Sequence, residues 1–223
     1  MLNDKEWLPA YNDWVSLIDE SKGFSLDIGC AVGRFTFQMA MKSDFSLGID
    51  MSFSFIKVSR QLMKERVLKF ELKQEGLINI EVELNLPESI KTDNLDFIVA
   101  DALSLPFPKN LFTKVASLNI VDKVPFLINH IKEMDRVSSL SNAQILISDP
   151  YSWSEEVASI EDWLGGKEEG EFKGFGQDNV AKILEGFGGY LEHPWKVVDN
   201  YNLENKKSQK SFRANQKPLC KGN

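Results

Sequence analysis

The stretch Leu26-Asp27-Ile28-Gly29-Cys30-Ala31-Val32-Gly33-Arg34-Phe35 predicts a buried strand that passes through a glycine turn into a helix. Residues 24–28 form a short apolar run with a single acid, and residues 35–41 carry apolar side chains at helical spacing. Gly29 permits the sharp turn, and Gly33 permits close packing of the helix on the strand. The main-chain N–H groups at the start of such a helix point at whatever lies over the strand end, so the stretch predicts a nucleotide pocket.

A second apolar strand, residues 45–50, ends in Asp50. Asp50 follows Gly29 by about twenty residues, where a doubly wound fold places the carboxylate that accepts both ribose hydroxyls of an adenosine-containing cofactor. The alternative is that Asp50 caps the next helix, a role for which Ser52 is an equal candidate. The two glycines have Ala31 between them and depart from the dinucleotide fingerprint, so they do not identify the cofactor by themselves.

Strand and helix patterns alternate along the chain, which predicts an α/β fold. We expect a doubly wound, Rossmann-like, seven-stranded and mostly parallel sheet with an antiparallel C-terminal hairpin. The strands predicted before the hairpin cover residues 24–28, 45–50, 95–100, 112–118 and 143–148, and the predicted helices cover 53–72, 125–137 and 177–187. Residues 73–94 are polar around Pro87 and are expected to form an excursion, and residues at about 150–176 are expected to form an insertion or lid.

The composition favours a single domain over residues 1–223 that acts on a small molecule. Hydrophobic residues make up 43% of the chain, enough for one substantial core. The formal net charge of −7 argues against nucleic acid as a partner, because binding to a phosphate backbone depends on clustered Lys and Arg. With no long apolar stretch and no signal-like pattern in residues 1–6, we expect no membrane partner and a cytoplasmic location. The two cysteines, Cys30 and Cys220, form no cluster with histidine, so no metal site is expected.

Three motifs follow one another along the chain: residues 26–35, Gly48-Ile49-Asp50 and residues 99–107. In this order they resemble the motifs of class I S-adenosylmethionine-dependent methyltransferases. The resemblance implies S-adenosyl-L-methionine as cofactor, with its methionine part in the glycine turn, its ribose at Asp50, its adenine beside Asp101 and its sulfonium over Asn119. The expected cofactor-binding residues are Asp27, Gly29, Cys30, Ala31, Gly33, Asp50, Met51, Asp101, Ala102, Asn119 and Ile120. Asp27 either binds the cofactor ammonium through water or merely satisfies the turn.

Further segments carry a narrower resemblance: residues 30–34, 119–124, 149–156, 163–166 and the closing segment 203–211. They are similar to the 4-mercaptohistidine N1-methyltransferases of ovothiol biosynthesis, and the similarity covers nearly the whole chain from residue 24. This resemblance implies methyl transfer to an imidazole nitrogen of 5-thiohistidine. Leu203 and Lys210 stand where Arg and His are expected, so another small metabolite stays open as the acceptor. A non-catalytic cofactor-binding module is the alternative from a different class.

The acceptor is expected beneath the insertion. Tyr151, Trp153 and Trp163 offer flat surfaces that can stack on an imidazole or lie near a sulfonium, and Glu155 can accept a hydrogen bond from an amino group or a ring N–H. Tyr151 and Trp153 follow a predicted strand, and an alternating backbone would point both side chains to one side. The catalytic candidates, for positioning the acceptor, are Tyr151, Trp153 and Glu155; the alternatives are packing for the aromatics and a solvated helix face for Glu155.

The chemistry requires alignment more than it requires a base. A sulfonium activates its own methyl group, and an imidazole with a reference pKa of about 6.5 already has a neutral lone pair at pH 7. His130 and His193 are expected to be structural rather than catalytic. We therefore expect that loss of an aromatic side chain in the insertion lowers activity more than loss of any single carboxylate.

Overall fold

The computed structural model describes residues 9–202 and 210–216, so Cys220 and residues 203–209 of the closing segment lie outside the described residues. Strands and helices alternate along the chain except for the run of strands from residue 67 to residue 118 and the C-terminal pair of strands. In chain order the elements are α1 (Pro9–Ser16), β1 (Phe24–Ile28), α2 (Arg34–Ala40), β2 (Phe45–Asp50), α3 (Phe53–Glu65), β3 (Val67–Glu75), β4 (Ile78–Asn85), β5 (Leu95–Val99), β6 (Phe112–Leu118), α4 (Leu127–Val137), β7 (Gln144–Asp149), α5 (Gly176–Leu184), β8 (Trp195–Asn202) and β9 (Lys210–Gln216).

Within the described part of the chain, seven strands form one sheet in the order β5-β2-β1-β6-β7-β9-β8. The strands from β5 to β7 are parallel, whereas β9 pairs antiparallel with both β7 and β8. The strand order reverses beside β1, which has β2 on one side and β6 on the other, and ligands of such sheets bind at this switch point. The predicted doubly wound fold, with its antiparallel C-terminal hairpin, is confirmed.

The core lies on both faces of the parallel strands. All six residues of β7 are buried, which is the pattern of a parallel strand covered by helices on each side. One apolar cluster joins the sheet to α4, α5 and the insertion, and a second joins it to α3. A third cluster contains Trp14 of α1, Phe35 and Met39 of α2, and Leu146 of β7. Among the described residues, no helix is both long and apolar enough to span a bilayer.

The segment after α3 differs from the prediction. The helix expected over 53–72 ends at Glu65, and the expected excursion contains a two-stranded antiparallel hairpin of β3 and β4. Arg66 stops the helix because it adopts a left-handed conformation, with φ of 60°, at the C-cap. Beyond it the apolar residues recur at every second position, the period of a strand rather than a helix.

The β3–β4 hairpin has one apolar face. Its register places Leu68 opposite Leu84, Phe70 opposite Val82 and Leu72 opposite Ile80, while charged and amide side chains occupy the alternate positions. The face is partly open, because Phe70 is 39% and Leu72 is 46% exposed. Gly76, with φ of 54°, lies in the turn between the two strands.

Candidate active site

The glycine turn after β1 is folded against two neighbouring strands. The N–H groups of Gly29 and Cys30 both donate to the carbonyl oxygen of Ile49 on β2, over 2.8 and 2.9 Å. Gly29 and Gly33 have φ of 73° and 87°, which an L side chain rarely adopts. A Cβ at Gly33 would collide with the ring of Phe97 on β5, so the second glycine is needed for close packing, as predicted.

Asp50, the last residue of β2, lies beside this turn. Its Oδ2 accepts a hydrogen bond from the Ala31 N–H over 3.0 Å, and its Oδ1 accepts one from the Ser52 N–H over 2.8 Å. Ser52 is the N-cap of α3, since its hydroxyl oxygen accepts the Phe55 N–H over 3.3 Å. The side-chain cap is therefore supplied by Ser52, and the half-buried Asp50 carboxylate keeps lone pairs for further donors.

Asp27 lies inside β1 and is buried. Its Oδ2 accepts a hydrogen bond from the Thr36 hydroxyl on α2 over 2.7 Å. Burial, together with the charge of Asp50, raises the pKa of Asp27 to about 7. Cys30 is also buried, and burial and the nearby carboxylates raise the pKa of its thiol far above the usual range. Cys30 is therefore a thiol at neutral pH and no nucleophile.

The end of β6 meets the glycine turn. A Cβ at Gly29 would collide with the Ile120 side chain, so these two predicted cofactor residues are in close contact. Asn119 has a left-handed backbone, with φ of 62°, and its N–H donates to the Ser148 carbonyl oxygen on β7 over 2.6 Å. Asn119 and Ile120 thus leave β6 directly beside the ends of β1 and β7.

The end of β5 supplies the remaining predicted cofactor residues. The Ala100 N–H donates to the Asp50 carbonyl oxygen over 3.2 Å, which brings the two strand ends together. Asp101 is exposed, and its carboxylate accepts the Leu103 N–H over 2.8 Å. Met51 is 72% exposed beside Asp50, and Ala102 is partly buried.

His130 on α4 is a buried structural residue. Its Nε2 lies 2.8 Å from the Ser117 hydroxyl and its Nδ1 lies 3.3 Å from the Ala102 carbonyl oxygen. Burial lowers the pKa of His130 to about 4, so the ring is neutral near pH 7. These contacts support the expected structural role and tie α4 to the loop after β5.

Two buried carboxylates lie at the ends of β6 and β7. Asp149 is the last residue of β7, and Asp122 lies in the 3-10 turn Val121–Lys123 that follows β6. The Asp122 N–H donates to Asp149 Oδ2 over 3.3 Å, and Asp122 Oδ2 accepts both the N–H and the hydroxyl of Ser152, each over 2.7 Å. Burial and the charge of Asp122 raise the pKa of Asp149 to about 7. Neither carboxylate was among the predicted site residues.

Tyr151 adopts a left-handed conformation, with φ of 52°, that Asp149 holds in place. The Tyr151 N–H donates to Asp149 Oδ1 over 2.8 Å. The strand ends at Asp149, so the predicted alternation of Tyr151 and Trp153 along an extended backbone is wrong. The two rings nevertheless lie side by side, with centroids 5.7 Å apart, because the chain turns at Tyr151.

The Trp153 ring packs between two glycines and a second tryptophan. It stacks on Trp163 with centroids 6.3 Å apart and an interplanar angle of 17°. A Cβ at Gly166 would lie 2.6 Å from Trp153, and one at Gly176 would lie 2.6 Å from Trp153 and 2.7 Å from Tyr151. The insertion thus packs its aromatic residues closely together after the end of β7, and Ser152 joins it to the turn after β6.

Glu155 is not part of this aromatic group. It is exposed in the turn that follows Trp153. The second ring of the stack is Trp163, whose Nε1 donates a hydrogen bond to the Ala158 carbonyl oxygen over 2.9 Å. The fold therefore brings the predicted residues together in two sets, both at the ends of strands. One set surrounds Gly29, Asp50 and Ile120, and the other contains Tyr151 and Trp153.

The fold and these strand-end residues define a class I methyltransferase architecture. A family model described as "Methyltransferase domain" matches residues 19–188, and the chain belongs to this family. A search of curated protein sequences finds no match. The expected enzyme class, a methyltransferase, and its expected cofactor, S-adenosyl-L-methionine, are confirmed.

Solved structures share the fold at low sequence identity. A protein of Pyrococcus horikoshii OT3 is 17% identical, over 97% of this chain and 93% of its own, with a TM-score of 0.61. A SAM-dependent methyltransferase of Aquifex aeolicus is 13% identical over 92% and 88%, with a TM-score of 0.58. Phosphoethanolamine N-methyltransferase 1 of Haemonchus contortus, solved with phosphoethanolamine and S-adenosylhomocysteine, is 14% identical over 97% of this chain and 44% of its own, with a TM-score of 0.64.

Proposed function

We propose that S-adenosyl-L-methionine lies across the carboxyl ends of β1, β2, β5 and β6. The glycine turn and the start of α2 hold the methionine part, and Asp50 offers a carboxylate to the two ribose hydroxyls. Asp101, Ala102 and Met51 flank the adenine, while Asn119 and Ile120 lie under the sulfonium. The hydrogen bonds of Asp50 support this placement. Two main-chain N–H groups fix its carboxylate, which still has lone pairs to accept hydrogen bonds from hydroxyl groups.

The acceptor that we propose is the imidazole of 5-thiohistidine, bound beneath the insertion that acts as a lid over residues 150–176. The observation that carries this proposal is the wall of Tyr151, Trp153 and Trp163 after the end of β7, where Ser152 joins the insertion to the turn after β6. Such a wall can stack on a flat ring and exclude water from the sulfonium. The narrower family resemblance supports the same acceptor.

The reaction is a displacement at the methyl carbon. When bound, the cofactor would supply a methyl group on a positively charged sulfur that can accept the electrons of the broken C–S bond. The chain holds the acceptor nitrogen in line with that bond, so that its lone pair forms the new C–N bond. A ring that starts neutral then loses its N–H proton to solvent or to a nearby carboxylate. Asp27, whose pKa is raised, is buried inside β1 and accepts the Thr36 hydroxyl, so we assign it to support of the turn rather than to this proton transfer.

A methyl-transfer assay with purified protein tests the acceptor. We expect S-adenosylhomocysteine to form only when 5-thiohistidine is present, with histidine as the control that lacks the thiol. Binding of the cofactor without turnover of either compound would exclude this acceptor.

Another small metabolite is the second candidate acceptor, favoured by Leu203 and Lys210 in place of the expected Arg and His. Turnover of a different metabolite in the same assay would support it. A protein that binds the cofactor and methylates nothing would instead match the non-catalytic module.

A further inference from the structure

Two buried side-chain oxygens at the ends of β6 and β7 have no hydrogen-bond partner among the described residues. They are Oδ1 of Asp122 and the hydroxyl oxygen of Tyr151. Lys123 Nζ lies 3.1 Å from Asp122 Oδ1, but it is half-exposed and not in hydrogen-bonding geometry. Buried polar atoms are nearly always hydrogen-bonded, so each such atom calls for a ligand or a water.

The surroundings of these two oxygens are negative. Asp122 and Asp149 are both buried, and their neutral donors are the N–H groups of Tyr151, Asp122 and Ser152 and the Ser152 hydroxyl. One cation is present: the half-exposed Lys123 ammonium pairs with Asp122 Oδ1 over 3.1 Å, and Asp149 has no ion pair among the described residues. Burial first, and then the carboxylates of Asp149, Asp122 and Asp178, hold the pKa of Tyr151 well above its usual range. The hydroxyl of Tyr151 therefore stays protonated, under the influence of negative charges on β7, on the turn after β6 and on α5.

The same place has an aromatic side. The ring of Tyr151 adjoins Trp153, which stacks on Trp163. Electron-rich ring faces attract a cation, and the attraction is stronger where water is excluded. A buried carboxylate oxygen, a hydroxyl and an aromatic wall together form the recognition set for a positively charged group that has N–H donors.

We propose that Asp122 and Tyr151 bind a cationic nitrogen group of the methyl acceptor, an ammonium or a group of similar donor geometry. The site rests on the proposed function, because it lies under the insertion that covers the acceptor. Its N–H donors reach Asp122 Oδ1 and the Tyr151 hydroxyl, and its charge, together with that of Lys123, balances the Asp122 and Asp149 carboxylates. A cationic nitrogen has no lone pair, so the bound group and the methylated nitrogen are different atoms. The acceptor is thus a small amine, such as an amino acid, with a separate nucleophile.

The test uses probe pairs in which one member carries an ammonium group and the other has a neutral group at the same position. The first pair is 5-thiohistidine and its Nα-acetyl derivative, and the second is histamine and 4-(2-hydroxyethyl)imidazole. Calorimetric titration with each probe is run on the protein alone and on the protein loaded with S-adenosylhomocysteine. We expect the ammonium member of at least one pair to bind about tenfold or more tightly than its neutral partner, because a buried charge-assisted hydrogen bond is lost in the neutral compound.

Three variants connect the result to the site. Tyr151→Phe removes only a hydroxyl that has no partner in the described chain, so the variant is expected to fold as well as the parent. In each of the variants Tyr151→Phe and Asp122→Asn, the difference in affinity between the two members of a probe pair should fall to about threefold or less. Glu169→Gln, which removes one negative charge at an exposed position of the same insertion, should leave the difference unchanged.

The outcomes separate this inference from the proposed function. Equal binding of both members of each pair, binding of no ammonium probe, or an undiminished difference in Tyr151→Phe would overturn the cationic site. If S-adenosylhomocysteine binds while the amines do not, cofactor binding stands and the cationic site fails. If the amines bind with the expected dependence on Asp122 while S-adenosylhomocysteine does not bind, the site stands and the cofactor placement fails.

Discussion

The main-chain N–H of Ala31 donates a hydrogen bond to Asp50 Oδ2 over 3.0 Å, which fixes the glycine turn after β1 to the end of β2. A second hydrogen bond, from the Ser52 N–H to Oδ1, holds the other carboxylate oxygen. The carboxylate is thus oriented before any ligand arrives. Pre-orientation of this kind reduces the loss of freedom that accompanies binding.

Asp50→Ala is expected to weaken the binding of S-adenosylmethionine by tenfold or more. The substitution removes a charged acceptor for two ribose hydroxyls, at roughly 1.5 to 3 kcal/mol for each hydrogen bond. Titration calorimetry measures the change in dissociation constant. Ser52→Ala is the matched control, because it removes the helix cap, at about 1 kcal/mol of stability, and is expected to leave the affinity within a few-fold. An unchanged affinity in folded Asp50→Ala would mean that the ribose lies elsewhere.

Trp153→Ala is expected to separate acceptor turnover from cofactor binding. The ring stands in the insertion and stacks on Trp163, so its loss leaves the cofactor residues intact but removes the acceptor wall. We expect the affinity for S-adenosylmethionine to stay within a few-fold and turnover of 5-thiohistidine to fall at least about tenfold, equivalent to roughly 1.4 kcal/mol. Steady-state methyl transfer gives the comparison, and full activity in the variant would show that Trp153 only packs.

Gly29→Ala is expected to destabilise the protein, and Ile120→Ala is expected to relieve part of the effect. The added Cβ collides with Ile120, and φ of 73° is unfavourable for alanine. Shortening Ile120 removes the collision but not the backbone strain, so the two substitutions should couple by about 1 kcal/mol. Denaturant unfolding of both single variants and the double variant gives this coupling, and additive effects would show that the two residues are not in contact.

His130→Gln is expected to reduce the loss of stability in mild acid. Burial lowers the pKa of His130 to about 4, whereas the pKa of an unfolded histidine is about 6.5. Between these two pH values the unfolded chain binds a proton that the folded chain does not bind. His130 therefore costs stability as the pH falls. From about pH 7.5 to about pH 5 the parent should lose about 2 kcal/mol more unfolding free energy than the variant.

Asp27 and Asp149 act in the opposite direction, because their raised pKa values favour the protonated form in the folded protein. Their contribution to the free energy of unfolding therefore increases as the pH falls below about 7. Both proteins contain them, so they cancel in the comparison. Parallel stability curves for parent and His130→Gln would contradict the assignment of a neutral buried imidazole.

The sequence predicts the elements whose signals are local. Residues 24–28 and 45–50 form strands with the predicted bounds, because each is a short apolar run between turn residues. The β3–β4 hairpin was missed because Phe70 and Leu72 continue an apolar pattern that also suits the preceding helix, while alternate charges resemble a solvated excursion. A period of two over only a few residues is a weak signal beside a long helix.

The site was predictable only where one motif contains it. Gly29, Gly33 and Asp50 lie in recognisable strand-end motifs, and the fold places them together. The pairing of Asp122 with Asp149 was not predictable, because it depends on β6 lying beside β7 and on the turns that follow both strands. The environment of the Tyr151 hydroxyl likewise follows from packing across three elements.

A crystal structure of the protein with bound S-adenosylhomocysteine tests the central claim most directly. The account predicts electron density with both ribose hydroxyls within hydrogen-bond distance of the Asp50 carboxylate and with the amino-acid part over the turn from Gly29 to Gly33. Density for the ligand away from the carboxyl ends of β1 and β2, or a ribose that does not contact Asp50, would contradict it.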